Sequence, residues 1–286
     1  MNGEHPVSLL CEVLGVARSG YYRWRDAAPR PRQREDAVLA QRIAAAHAAS
    51  RGTYGAPRLV EDLRAAGTRT SKRRCARLMK ALGLRGRKKH RRTPRTTDSR
   101  HPCPVAPNLR AERPAPTGPN QCWLTDITYL ETAEGWLYLA AILDLWSRRI
   151  VGWACGPTLH TCLVLAALQD ALARRRPAAG LLHHSDRGCQ YVATDYVQAL
   201  AAAGIERSMS RAGNCYDNSP MESFWSTLKT DTGLDTAIPA SRQHATLAVF
   251  DYIETFYNRT RRHSSLGYLS PVAFEQQHQP KVINAA

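Results

Sequence analysis

Apolar positions in the first third of the chain recur at helical spacing, and in the middle they crowd into short runs. Leu9, Leu10, Val13 and Leu14 form a helical stripe in "HPVSLLCEVLGVARSGYYRW". The pattern turns at Gly15 and resumes in a second helix carrying Tyr21, Tyr22 and Trp24. "DAAPRPRQRED" reads as a Pro/Arg linker. A strong helix over 36–47 turns Val38, Leu39 and Ile43 inward, and "RGTYG" breaks it. "APRLVEDLRAAG" predicts a further helix, with Pro57 in its first turn and Gly67 ending it. In "TSKRRCARLMKALGL", Ser71 is the expected N-cap and Gly83 the stop, with Leu78 and Leu82 facing a core. A Pro- and Thr-rich linker follows, over 96–118.

Beyond Pro119 the period changes. "QCWLTDITYLET", "GWLYLAAILDLWS" and "RRIVGWACG" read as three strands with short joints, an antiparallel meander. A long helix ("TLHTCLVLAALQDALARRR") leads to a short buried strand, "AGLLHHS". Helix "TDYVQALAAAG" and strand "IERSMS" come next, and then the helices "DNSPMESFWSTLKTD" and "SRQHATLAVFDYIETFYN". This order predicts a mixed α/β sheet of five strands flanked by helices, preceded by an all-α region. The expected divisions are 1–28 (short helical segment), 36–95 (helix-turn-helix), the 96–118 linker, 119–275 (α/β core with C-terminal helices) and a 276–286 tail.

Charge divides the chain at the same place. Residues 1–118 carry 26 Lys/Arg against 9 Asp/Glu, and the remainder is nearly neutral at 14 against 15. A basic segment beside a neutral domain points to a polyanion, DNA or RNA. Helix, turn and basic last helix suit a major groove, with Arg73, Arg74 and Arg77 as candidate contacts. The run "RGRKKHRR" adds Arg87, Lys88, Lys89, Arg91 and Arg92, which repel one another unless they meet phosphate. No apolar run approaches a membrane span, and "MNGEHPVSLL" lacks the pattern of a signal peptide, so a cytoplasmic, nucleoid-associated protein is expected. The eight cysteines are scattered without a C-x-x-C pair, which reads as reduced thiols and not as a zinc or disulfide framework.

Three acids stand out against this layout. Asp126 lies inside the first strand, Asp186 follows the fourth, and Glu222 sits in the first turns of a helix. A lone acid among apolar strand residues is costly without compensation. Mg²⁺ takes oxygen ligands, and two strand carboxylates plus one from a helix can converge on a two-metal site for in-line phosphoryl transfer. Each acid also has a plainer role: Asp186 can close a turn with Arg187 and Gly188, Asp126 can pair with an arginine, and Glu222 can be solvated. The spacing sharpens the pattern, since 35 residues separate Asp186 from Glu222.

These residues resemble the retroviral-integrase type of catalytic core with its D…D(35)E signature. More closely, the chain resembles transposases of bacterial insertion sequences, the second-frame (OrfB) product of the insertion-sequence-three family. The resemblance rests on "WLTDITYLET", "GWLYLAAILDLWSRRIVGW", "HSDRGCQY", "NCYDNSPMESFWSTLKTD" and "YNRTRRHSSLGYLSP", and the basic helices over 36–95 are similar to that family's helix-turn-helix. Cys189 departs from it where serine is expected.

The resemblance implies a ribonuclease-H-like fold and DNA strand cleavage and transfer at element ends. It implies Asp126, Asp186 and Glu222 as catalytic ligands of two Mg²⁺ ions, with Mn²⁺ able to substitute. DNA partners, a homo-multimer on DNA and an upstream-frame polypeptide, fused or separate, are implied with it. Glu222, Ser226 and Lys229 share one helical face, which brings Lys229 toward the same groove as a phosphate contact. Asp144, at a strand end, is the decoy acid. His183 and His184 are expected to be buried neighbours of the site, and Asp217 and Asn218 capping groups. Arg187 and the Arg259–His263 cluster stay open between structural and DNA-contact roles. A metal-dependent nuclease of the same fold and a non-catalytic DNA-binding regulator are the competing functions.

Overall fold

The computed structural model describes residues 5–26, 28, 30–88, 105–211 and 215–278. The chain divides into two compact units, Met1–Arg85 and Gly86–Ala286. The first is all helical: α1 (Val7–Val13), α2 (Arg18–Arg25), α3 (Pro31–Ala49), α4 (Ala56–Ala65) and α5 (Lys72–Ala81). Leu39 and Ile43 of α3, Leu59, Val60 and Leu63 of α4, and Cys75, Leu78 and Met79 of α5 are buried, with Cys11 and Tyr54. Ser71 caps α5, its side chain accepting from Arg74 N at 3.1 Å.

Three expectations are corrected here. Helix α3 begins at Pro31 and not near residue 36, because proline suits the first helical position and needs no N–H partner there. Val38 and Leu82 are exposed, at 50% and 42%. Val38 lies a third of a turn from the buried Leu39, and Leu82 falls at the C-cap of α5, past its last packed turn. The stripe of α1 is also largely uncovered, with Val13 and Leu14 more than two-thirds exposed.

In the second unit α6 (Leu109–Glu112) lies in the segment read as linker. It precedes β1 (Cys122–Thr132), β2 (Gly135–Asp144) and β3 (Ile150–Gly156). Then come α7 (Thr161–Arg175), β4 (Leu182–Ser185), α8 (Cys189–Val192), α9 (Thr194–Ala202) and β5 (Glu206–Met209). The chain closes with α10 (Ser219–Thr232), α11 (Arg242–Phe250) and α12 (Pro271–His278). The sheet order is β3-β2-β1-β4-β5. The meander β1–β2–β3 is antiparallel, while β4 joins β1, and β5 joins β4, in parallel. This is the mixed five-stranded sheet that the sequence pattern predicts, and parallel joins demand the helical crossovers that α7 and α9 supply.

One face of the sheet is covered by α7 and α9, with Trp123, Ile142, Val151, Leu168 and Tyr196 at its core. The fit at β3 is close. A Cβ on Gly152 would lie 2.4 Å from Ala167 O and 2.5 Å from Ala171 N, both backbone atoms of α7. Gly152→Ala is therefore expected to cost about 3 kcal/mol through overpacking, measured as a lowered urea midpoint; a wild-type midpoint would rule out so close an approach.

The segment over 242–258, read from sequence as one helix, is α-helical only to Phe250 and continues as a π-helical turn, Asp251–Tyr257. Tyr252, Ile253, Phe256 and Tyr257 of this turn are all buried.

Candidate active site

Strand pairing sets the first two carboxylates side by side. In the parallel β1–β4 pair, Leu124 is opposite His184. Asp186 follows the end of β4 at Ser185, close enough for its charge to act on Asp126 of β1. Both are half-buried. Asp126 Oδ2 accepts from Trp225 Nε1 of α10 at 2.9 Å, and Oδ1 accepts from Ile127 N at 2.8 Å. Asp186 Oδ1 accepts from Gly188 N at 2.9 Å, so the acid does close a turn. A Cβ at residue 188 would stand 3.1 Å from that oxygen, a tight contact.

Burial, with the negative charge of Asp186 beside it, pushes the Asp126 carboxyl up to about 7; the bonds from Trp225 and Ile127 oppose this, and Glu222 adds a smaller push upward. The folded value lies above the ordinary 3.8. The folded chain therefore keeps a proton that the unfolded chain releases, and that stabilisation is whole below about pH 4 and lost as pH rises through about 7. In EDTA, the stability of Asp126→Asn relative to wild type is expected to grow from pH 4 to pH 8 by a few kcal/mol. Urea midpoints taken across that range check this, and a flat difference would count against a desolvated pair.

Glu222 is exposed in the first turn of α10. Among the described residues no three His, Cys, Asp or Glu side chains are already grouped as a metal-holding set. The donor chemistry nonetheless fits a hard cation: a desolvated Asp126 carboxylate repelled by Asp186, with Glu222 within electrostatic reach. Lys229, two turns along α10, is half-buried. Burial lowers its ammonium, and attraction to Asp126 and Asp235 opposes the shift, so the lysine lies within electrostatic reach of Asp126.

Beneath the carboxylates, Thr125 Oγ1 lies 3.4 Å from the Tyr191 hydroxyl. Asn218 Nδ2 donates to Thr125 O at 3.2 Å, tying the start of α10 to β1. Asn218 does not cap the helix through its side chain. Asp217 is not a cap either: it accepts from Asn108 Nδ2 and from Arg211. Trp225 was invisible as a site residue in the sequence, although its place three residues after Glu222 on one helix was a usable signal.

The neighbouring polar residues find partners within the fold. His183 Nε2 lies 3.1 Å from the Tyr196 hydroxyl, and His184 bridges Ser208 and Ser210 at 2.9 and 3.0 Å. Burial lowers their pKa values to about 3 and about 4, so both rings are neutral. Arg187 Nε donates to Ser210 O. Asp144, fully buried, accepts from the backbone N–H groups of Asn120, Trp146 and Ser147. In the 259–263 cluster, Arg261 pairs with Asp231, Arg262 donates to Tyr268 O, and His263 packs edge-on to Tyr257.

The candidate DNA contacts divide. Arg73 and Lys88 are exposed. Arg74 is held by Asp36 at 2.7 Å and Glu35 at 3.2 Å, and Arg77 by Asp36 at 2.5 Å, so these two guanidiniums fasten α5 to α3. Arg87 donates to Thr230 O and Asp231 O at the C-terminal end of α10, where free carbonyls attract a cation. Lys89, Arg91 and Arg92 lie outside the described residues.

Comparison with known proteins agrees with the architecture. An integrase core domain model matches residues 116–215 and a second one residues 203–271, and an HTH-like domain model matches residues 33–92. The insertion element IS600 uncharacterized 31 kDa protein of Shigella sonnei is 49% identical over 94% of this chain and 99% of its own. The transposase InsF for insertion sequence IS3A of Escherichia coli is 41% identical over 96% of each chain. Among solved structures, the simian T-cell lymphotropic virus intasome in complex with a phosphatase regulatory subunit has a chain with TM-score 0.49 and 15% identity, over 78% of this chain and 72% of that one. The HTLV-2 integrase catalytic core in complex with magnesium reaches 0.43 at 15% identity, over 56% and 98%. No helix among the described residues is long and apolar enough to cross a membrane. With an integrase-type, ribonuclease-H-like core behind a helix-turn-helix-like region, the chain belongs to the InsF transposases of the IS3 family, proteins of DNA transposition and integration.

Proposed function

We propose that the chain is a DDE-type polynucleotidyl transferase in which Asp126, Asp186 and Glu222 hold two Mg²⁺ ions, replaceable by Mn²⁺, at the ends of an insertion element. The observation that carries this reading is the desolvated Asp126 of β1 under the charge of Asp186, which follows the parallel neighbour strand β4. Bound there, a pair of divalent cations supplies an activated water or DNA 3′-hydroxyl and stabilises the leaving oxygen. The chain's own groups do the rest. Trp225 orients Asp126 through its indole N–H, Gly188 N holds the Asp186 carboxylate, and Lys229 presents a cation to the scissile region. Glu222, exposed at the start of α10, is free to swing toward the pair as donor oxygens are called for.

The helices over 31–81 and the basic run after them would hold the element ends, with Arg73, Lys88, Lys89, Arg91 and Arg92 as phosphate contacts. Arg74, Arg77 and Arg87 have intramolecular acceptors to exchange first. Joining two ends calls for a homo-multimer on DNA. An upstream-frame polypeptide is proposed as a further partner, supported by the uncovered apolar side chains of Val13, Leu14 and Trp24. The deciding experiment is a strand-transfer assay with labelled element ends and Mg²⁺, in which both nicked and joined products are expected. Nicking without joining would favour a nuclease, and binding alone a regulator.

A further inference from the structure

A second site lies at the opposite end of the sheet. Asp186 follows the C-terminal end of β4, whereas the strand starts at Cys122 and Leu182 border a cleft of about 1160 Å³. One wall is α6 with Arg110, and another is the β2–β3 turn with Trp146 and Arg148. The third is the segment over 113–121. The volume suits a small organic ligand or a nucleotide unit.

The cleft is cationic without internal compensation. Arg110 gives one terminal nitrogen to Asp217 O, while its Nε is buried with no hydrogen-bond partner among the described residues. Buried polar atoms are nearly always satisfied, so an orphan at a cleft wall marks a place for an acceptor. Arg148 is half-buried, and among the described residues its guanidinium makes no ion pair. Burial and the proximity of Arg110 both disfavour its charge, with Tyr257 opposing.

Among the described residues the one carboxylate on the lining, Asp217, is already taken by Arg211 and Asn108, and Arg113 is taken by Glu206. The backbone there is strained as well. Arg148 and Asn120, both on the lining, have φ of +61° and +60°, a conformation that costs free energy for residues with a Cβ. Arg148 is pinned in it by its own N–H to Asp144 O at 2.8 Å and by the Tyr257 hydroxyl on its carbonyl at 3.1 Å. The backbone is fixed so that the side chain enters the cleft wall.

We propose that this cleft is a phosphate site, with Arg110 and Arg148 as its two cationic arms and the prolines and Trp146 as an apolar wall for the attached sugar or base. Guanidinium forks suit phosphate oxygens, and one phosphate would relieve the repulsion between the arms. The phosphate can belong to a DNA strand or to a free nucleotide, and both present the same oxygens. The inference does not rest on the carboxylate chemistry, since no residue is shared between the two sites.

The test uses the full chain with a labelled twelve-residue oligothymidylate, read by polarisation over a salt series, and thymidine 5′-monophosphate, read by calorimetry. Arg148→Gln is expected to weaken binding about tenfold. For the oligonucleotide it should also reduce the salt slope by about 0.7, one phosphate contact on a single strand. Arg148→Lys should keep the slope and lose part of the affinity. Gln121→Glu, a surface change on the same lining, should weaken binding by adding a negative charge, and it serves if Arg148→Gln folds poorly. The same loss is expected in an Asp186→Asn background, which separates this site from the catalytic one. Loss with the oligonucleotide assigns the site to a DNA strand, and loss with the monophosphate alone to a free nucleotide. Unchanged binding of both probes in the Arg148 and Gln121 variants would overturn the proposal.

Discussion

Asp186→Asn is expected to abolish both strand cleavage and strand joining, by about a thousandfold or more, and to leave DNA binding within twofold of wild type. The substitution is nearly isosteric, and an asparagine Oδ1 can still accept from Gly188 N, so the turn after β4 survives. What is lost is a negative charge beside Asp126. Divalent-cation catalysis supplies several kcal/mol of charge stabilisation, and each 1.36 kcal/mol is a factor of ten, which sets the scale of the loss. On the proposed reading, binding belongs chiefly to the basic residues in 1–118, far along the chain from this acid. Single-turnover assays on labelled ends would measure the chemistry, and polarisation the binding.

The same variant carries an electrostatic signature. Asp186 is the largest charged contributor to the raised Asp126 carboxyl, so its removal should bring the Asp126 transition down in pH toward the ordinary carboxylate range. The pH dependence of the Asp126→Asn stability difference, repeated in the Asp186→Asn background, should shift to lower pH. Full cleavage activity in Asp186→Asn would sink the assignment of this acid. Lost activity with an unmoved Asp126 transition would sever the two aspartates instead.

The largest expected effect on stability is at Arg261. Its guanidinium pairs with Asp231 at 2.6 Å, with the two side chains only 6% and 7% exposed. Tyr252 also donates to Asp231, at 2.9 Å. Removing one partner of a buried pair strands the other charge, and such losses run to about 3–5 kcal/mol. For a chain of this size Arg261→Met should therefore lower the melting temperature by about 10 °C. Removing both charges is different, because an apolar pair of similar volume carries no desolvation cost. Arg261→Met combined with Asp231→Leu should recover more than half of the lost stability. If the double variant is as unstable as the single one, the loss comes from packing and not from charge. Asp231 stands at the C-terminal end of α10, the helix that carries Glu222 and Lys229, and Arg87 caps the same end. Activity in Arg261→Met should fall with stability, and recover with it.

Local chemistry alone determined much of this protein. The apolar runs around Asp126 and before Asp186 are strands because β-branched and aromatic residues in short runs have few other solutions. Ser71 caps α5 because a serine at that position satisfies a helix N–H from within its own segment. The separation of a basic region from a neutral α/β core is a matter of counting charges, and the 35 residues between Asp186 and Glu222 are legible in any conformation.

Partners distant in sequence were decided only by the tertiary structure. The parallel pairing of β4 with β1 joins residues some sixty positions apart, and that pairing brings Asp186 near Asp126. Sequence marks Arg74, Arg77 and Arg87 as cationic but cannot tell a phosphate from Asp36 or a helix-end carbonyl as the acceptor, because a charge takes the partner the fold brings near. The neutrality of His183 and His184, the hold of Trp225 on Asp126 and the π turn after Phe250 follow the same rule. Burial and long-range contact set each of them, and neither is a property of a residue's neighbours in the chain.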